Sequence, residues 1–105
     1  MADRDTSREL RIRQATGWRG QRLILSGELD LLTSPRLRAT LDQIPSGTKL
    51  TIDTTRLDFI DSTGVGCLLE AAERIGRKHL TLSPGNATLR VLGVTGLLYR
   101  FRIER

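Results

Sequence analysis

From residue 34 onward, stretches with helical spacing alternate with short apolar runs of the strand type. That alternation restricts the chain to folds in which helices cover a sheet with parallel strand pairs. The first helical stretch is TSPRLRATLDQIPSG. Ser34 is placed to cap it, and Pro35 suits the first helical position, where a missing N–H costs nothing. Leu37, Leu41 and Ile44 form one apolar stripe, and Pro45 and Gly47 close it. The second begins near Ser62, with Val65, Leu68, Leu69, Ala72 and Ile75 at helical spacing and Gly76 at its end. A short third stretch, PGNATLRVLG, is expected to stop at Gly93.

The strand signals are equally periodic. Leu10 and Ile12 alternate with Arg11 and Arg13, then GWRG makes a turn, and QRLILSGEL follows as a more apolar strand. This is the pattern of an antiparallel hairpin. KLTIDTT and HLTLS supply a third and a fourth strand, the third ending near Asp53. YRFRI is expected to close the chain as a strand, with Tyr99, Phe101 and Ile103 inward and Arg100 and Arg102 outward. The order is β-β-α-β-α-β-α-β, in a single α/β domain over 9–105, with 1–8 expected to be a frayed N-terminus.

Composition narrows the partners. A chain of 105 residues can bury one core without staples. Its one cysteine, Cys67, excludes an intramolecular disulfide, and its position beside the central loop reads as a small buried apolar residue. The polar start MADRDTSREL lacks the apolar segment of a signal peptide, and no run approaches a membrane span. The expected location is the cytoplasm, with no membrane contact. The net charge of +5 is unevenly spread. Residues 1–22 hold six Arg against three acids, residues 23–68 four bases against six acids, and residues 98–105 three Arg against one Glu. With aromatics at 4% there is no base-stacking platform, so direct nucleic-acid binding is not expected.

The stretch DFIDSTGVG, Asp58 to Gly66, carries the chemistry. A nucleophile elbow needs Gly two residues before the serine, and Ile60 stands there instead. The single histidine, His79, opens the fourth strand, far along the chain from Ser62. The Lys of a phosphate-binding loop is absent, and no Cys/His cluster offers a metal site. Asp53, Asp58 and Asp61 are carboxylates expected to face water. What remains is a helix start capped by Asp61 or Ser62, with Gly64 and Gly66 allowing close packing. A serine there is also a favourable place for a phosphate, which would bring about −1.5 to −2 charge to the surface.

Three blocks resemble the STAS-domain anti-sigma factor antagonists of bacteria. They are LILSGELDLLTSPRLRATL, LTIDTTRLDFIDSTGVGCLLEAAERI and LTLSPGNATLRVLGVTGL, together spanning most of residues 23–98. The resemblance implies a mixed sheet of about five strands with three or more helices packed mainly on one side. It implies a regulator rather than an enzyme, with no cofactor, existing as a monomer or weak dimer. Its unphosphorylated form would bind an anti-sigma factor, often a serine kinase, and so free a sigma factor. Phosphorylation at Ser62, less readily at Thr63, would break the complex, and a serine phosphatase would reset it. Asp30, Leu31, Thr33, Ser34, Asp61, Thr63, Gly64 and Val65 are the implied partner-binding positions, on a docking face that takes in the whole stretch Leu31 to Pro35. A non-phosphorylated scaffold or a transport-accessory subunit is the alternative role within the same family. The chain departs from the family pattern in its basic charge and in Arg56 and Asp58, expected in a loop that is more apolar elsewhere.

Overall fold

A computed structural model describes residues 9–104. The expectation for 1–8 lies outside the described residues. The strands are β1 (Arg11–Gly17), β2 (Gly20–Leu29), β3 (Leu50–Ile60), β4 (Leu80–Ser83) and β5 (Arg102–Ile103). The helices are α1 (Ser34–Asp42), α2 (Ser62–Ile75) and α3 (Asn86–Thr95). The five strands form one sheet in sequence order; β1 runs antiparallel to β2, and the remaining neighbours are parallel. This is the mixed sheet and the helix count expected.

The period-two pattern explains which face is covered. Leu23, Leu25 and Leu29 of β2 and Leu50 and Ile52 of β3 are buried, with half-exposed residues between them. Leu37 and Leu41 of α1, Leu68, Ala71, Ala72 and Ile75 of α2 and Leu92 of α3 complete the same core. Burying a leucine of this kind stabilises the fold by about 1.5–3 kcal/mol relative to exposure. The intervening positions form a polar face. There Arg22 of β2 donates to Asp53 Oδ2 at 3.0 Å and to both oxygens of Glu104 at 3.1 Å.

Several local expectations are corrected. The strand β3 does not end near Asp53 but continues to Ile60. Its second half stays paired with β2, from Ser26 opposite Arg56 to Leu29 opposite Ile60, after a register shift beyond Ile24. Arg56 and Asp58 are therefore strand residues. Asp53 does not simply face water. Burial opposes its ionisation, but hydrogen bonds from Thr55 and Arg22 outweigh that and hold its carboxyl below the usual range.

At α1 the cap position is Thr33, Ser34 is the first helical residue and Pro35 the second; Thr33 makes no side-chain cap, because its hydroxyl is bonded within the preceding loop. The helix α3 runs through Gly93 to Thr95 and ends at Gly96, which takes the left-handed conformation with φ 72°. Gly93 is not among the glycines with positive φ, so the backbone stays helical through it. The longer helix leaves less chain for the last strand. Leu98–Arg100 form a 3-10 turn, Tyr99 is exposed, and β5 keeps two residues, although Phe101 is buried as expected. Two further corrections belong with the site: the glycine spacing in α2, and the setting of Asp61, which does not simply face water.

Candidate functional site

The strand β3 delivers the chain to the C-terminal edge of the sheet, and α2 begins two residues later. Asp61 is extended, with φ −111° and ψ −174°, and is the helix cap. Its Oδ1 accepts from the Gly64 amide at 3.0 Å. Such a bond satisfies one of the amides that a helix start leaves free. Ser62 follows as the first helical residue, exposed to solvent, and Thr63 is half-buried. Gly64 is buried for a steric reason. A Cβ there would lie 2.9 Å from the Leu29 carbonyl oxygen, from Leu29 Cγ and from Ile60 Cγ1. Only glycine lets the first turn of α2 settle on the ends of β2 and β3. Gly66, expected to share that role, does not: a Cβ there meets nothing within 4 Å.

The loop between β2 and α1 lies against this turn. The Asp61 Oδ2 accepts from the Leu31 amide at 3.2 Å, and the Asp61 amide donates to the Leu29 carbonyl at 3.2 Å. The loop is also internally tied. Asp30 Oδ1 accepts from the amides of Leu32 and Thr33, each at 3.0 Å. The Thr33 hydroxyl accepts from the Asp30 amide at 2.9 Å and donates to the Glu28 carbonyl at 2.8 Å. This is the Asx- and Thr-turn chemistry by which short polar side chains replace backbone partners.

The structure therefore brings Asp30, Leu31, Thr33, Asp61, Ser62, Thr63 and Gly64 to one end of the sheet. Three of the expected positions lie beneath that surface: Gly64 is buried, Ser34 is 2% exposed and Val65 is 4% exposed. Leu32, within the stretch Leu31 to Pro35 expected on the docking face, is the most exposed of the loop's side chains at 85%. The bonds of Asp30 and Thr33 tie the loop into a turn and leave the residues between them pointing outward.

The site's chemistry is narrow. His79 sits in the turn before β4, beside the start of β3, whereas Ser62 follows the end of β3. At about 3.3 Å per residue the length of β3 separates them by roughly 30 Å. The chain's one histidine cannot serve Ser62 as a base. Cys67 is buried, and burial pushes its thiol up to about 11, so it is held as a neutral thiol. Among the described residues no group of His, Cys, Asp or Glu is placed to hold a metal ion. Among the described residues no helix is long and apolar enough to cross a membrane.

A family model described as Mlab, STAS domain, matches residues 12–99. The chain belongs to the STAS-domain family. This STAS chain is 31% identical over 85 residues to the anti-sigma-F factor antagonist RsfB of Mycobacterium tuberculosis, covering 77% of the chain and 70% of that protein. It is 29% identical over 80 residues to the anti-sigma-B factor antagonist of Listeria monocytogenes, covering 71% and 70%. Among solved structures, an anti-sigma factor antagonist from Mycobacterium paratuberculosis superposes with a TM-score of 0.78 at 24% identity, covering 90% of this chain and 85% of that one. The phosphorylated form of the Bacillus cell fate determinant SpoIIAA gives a TM-score of 0.59 at 19% identity, covering 90% and 92%. At those identities the structural matches speak for the fold, which is the STAS fold expected.

Proposed function

We propose that this STAS domain is an anti-sigma factor antagonist whose unmodified form binds an anti-sigma factor and releases a sigma factor, and whose binding is ended by phosphorylation of Ser62. The observation that carries the reading is the placement of Ser62. It is the exposed first residue of α2, next to a carboxylate whose oxygens are already engaged with Gly64 and Leu31. A kinase can reach the hydroxyl without unfolding the helix. The phosphate adds about −1.5 to −2 charge beside Asp61. The fold does not depend on the hydroxyl, so the modification changes the surface a partner meets and leaves the core alone. The relatives named as antagonists of anti-sigma-B and anti-sigma-F factors support the choice of partner class.

In this reading the domain is a regulator working in the cytoplasm. It performs no chemistry of its own; its partners are an anti-sigma factor of the serine-kinase type and a serine phosphatase. Thr63, half-buried, is the poorer acceptor. Asp30, Leu31 and Thr33 shape the docking surface, and the buried Ser34, Gly64 and Val65 act from beneath it.

The test is capture from the host with the wild-type domain and with Ser62→Asp, followed by incubation of the captured ATPase with ATP and the wild-type domain. Mass spectrometry is expected to find an anti-sigma factor bound to wild type, its loss from Ser62→Asp, and one phosphate on Ser62. Equal binding of Ser62→Ala and Ser62→Asp, with no phosphate on Ser62, would instead mark a scaffold.

A further inference from the structure

The geometry points to Leu31 and Leu32 as the apolar anchor of the docking surface, and to Asp61 as the positioning residue that holds them there. The partner's identity rests on the reading above; the brace is a property of the chain alone. Both carboxylate oxygens of Asp61 are spent inside the protein, on the Gly64 amide at 3.0 Å and on the Leu31 amide at 3.2 Å. Asp61 therefore serves the interface by fixing one loop against another.

What it fixes is apolar. Leu31 is 68% exposed and Leu32 is 85% exposed. Their loop is not slack: Asp61 holds the first amide, Asp30 Oδ1 holds the next two, and the Ser34 amide donates to the Asp30 carbonyl at 2.8 Å. Two leucines on a loop tied at four successive amides lose little conformational freedom on docking, and such preorganisation leaves more of the burial as affinity.

The occupant follows from position. The residue that anchors Leu31 immediately precedes Ser62 in the chain. A partner close enough to sense a phosphate on Ser62, within a screening length of about 8–10 Å, also meets the leucine pair. The complementary surface is an apolar pocket for two adjacent leucines on the anti-sigma factor. Trp18, 90% exposed, lies in the β1–β2 turn at the opposite end of the sheet and serves as an internal control.

The brace is tested on the domain alone. Asparagine offers one acceptor in place of two, so Asp61→Asn keeps the cap on Gly64 and loses the bond to Leu31. Amide exchange read by NMR is expected to quicken at Leu31 and to hold at Gly64. A Leu31 amide that exchanges as an unprotected one in wild type, or identically in Asp61→Asn, overturns the brace. The anchor is tested by titrating the captured anti-sigma factor. Leu32→Ala is expected to weaken binding by about tenfold or more, the size of a truncated hot spot, with Tm unchanged, and Trp18→Ala to bind as wild type. Equal binding by Leu32→Ala overturns the anchor. So does a concentration-dependent dimer in sedimentation that Leu32→Ala abolishes, since the leucines would then cover a second copy. If no anti-sigma factor is captured, the functional reading and the anchor fail together, while the amide measurement still decides the brace.

Discussion

Gly64 rests on Leu29 so closely that a methyl group on its Cα would stand 2.9 Å from the Leu29 carbonyl oxygen. That contact sets α2 on the sheet and so sets where Ser62 is presented. Overpacking at such a place costs about 1–3 kcal/mol. Gly64→Ala should lower stability by that amount in chemical denaturation. Gly66→Ala, with open space at its Cβ, should raise it by about 0.5–1 kcal/mol through helix propensity. Equal effects at the two positions would contradict the packing described.

Thr88 on α3 is fully buried, and its hydroxyl has no partner among the described residues. A buried hydroxyl without a hydrogen bond costs about 1–3 kcal/mol. Thr88→Val keeps the shape and removes the polar atom. It should raise stability by about 1 kcal/mol, read as a higher denaturation midpoint with an unchanged slope.

The polar face of the sheet should titrate. A hydrogen bond from Arg22 holds the Glu104 carboxyl below its usual range, and Thr55 and Arg22 do the same for Asp53 against the opposing effect of burial. Both carboxyls are thus lower in the folded state. Their contribution is complete above the unfolded carboxylate range of about 3.9–4.3 and fades as pH falls through the folded values. In Arg22→Met the folded values rise towards the unfolded ones. Stability near neutral pH should fall by about 1 kcal/mol or less, and the loss of stability on acidification should be shallower than in wild type.

Cys67 should be silent while the fold is intact. Its thiol is buried and pushed up to about 11, so at pH 8 a disulfide reagent should label it slowly without denaturant and rapidly in guanidinium. Fast labelling of the native protein would mean that α2 opens locally.

How much of this was legible depended on how each signal arises. The helix α2 was legible because its stripe from Val65 to Ile75 and the acid at Asp61 agree on where it begins. The second half of β3 was not, because Thr55, Arg56 and Asp58 break the period of two, and the strand continues only through its pairing with β2 across a register shift. The end of α3 was misjudged at Gly93, since a glycine marks a helix stop only when the backbone turns left-handed, as it does at Gly96. The site residues Asp30, Asp61 and Ser62 could be named in advance, but their relationship could not. That one carboxylate spans Gly64 and Leu31 is a contact across 30 residues of chain, and no local pattern encodes it.

The central claim is that a phosphate on Ser62 controls partner binding. The most direct measurement is a titration of one anti-sigma factor, at fixed salt, with the unmodified domain, the Ser62-phosphorylated domain and Ser62→Ala. The account predicts that the unmodified domain and Ser62→Ala bind alike, and that the phosphorylated domain binds more weakly by roughly tenfold or more, the scale of an unfavourable charge placed in an interface. Equal affinity for the phosphorylated and unmodified forms would contradict it.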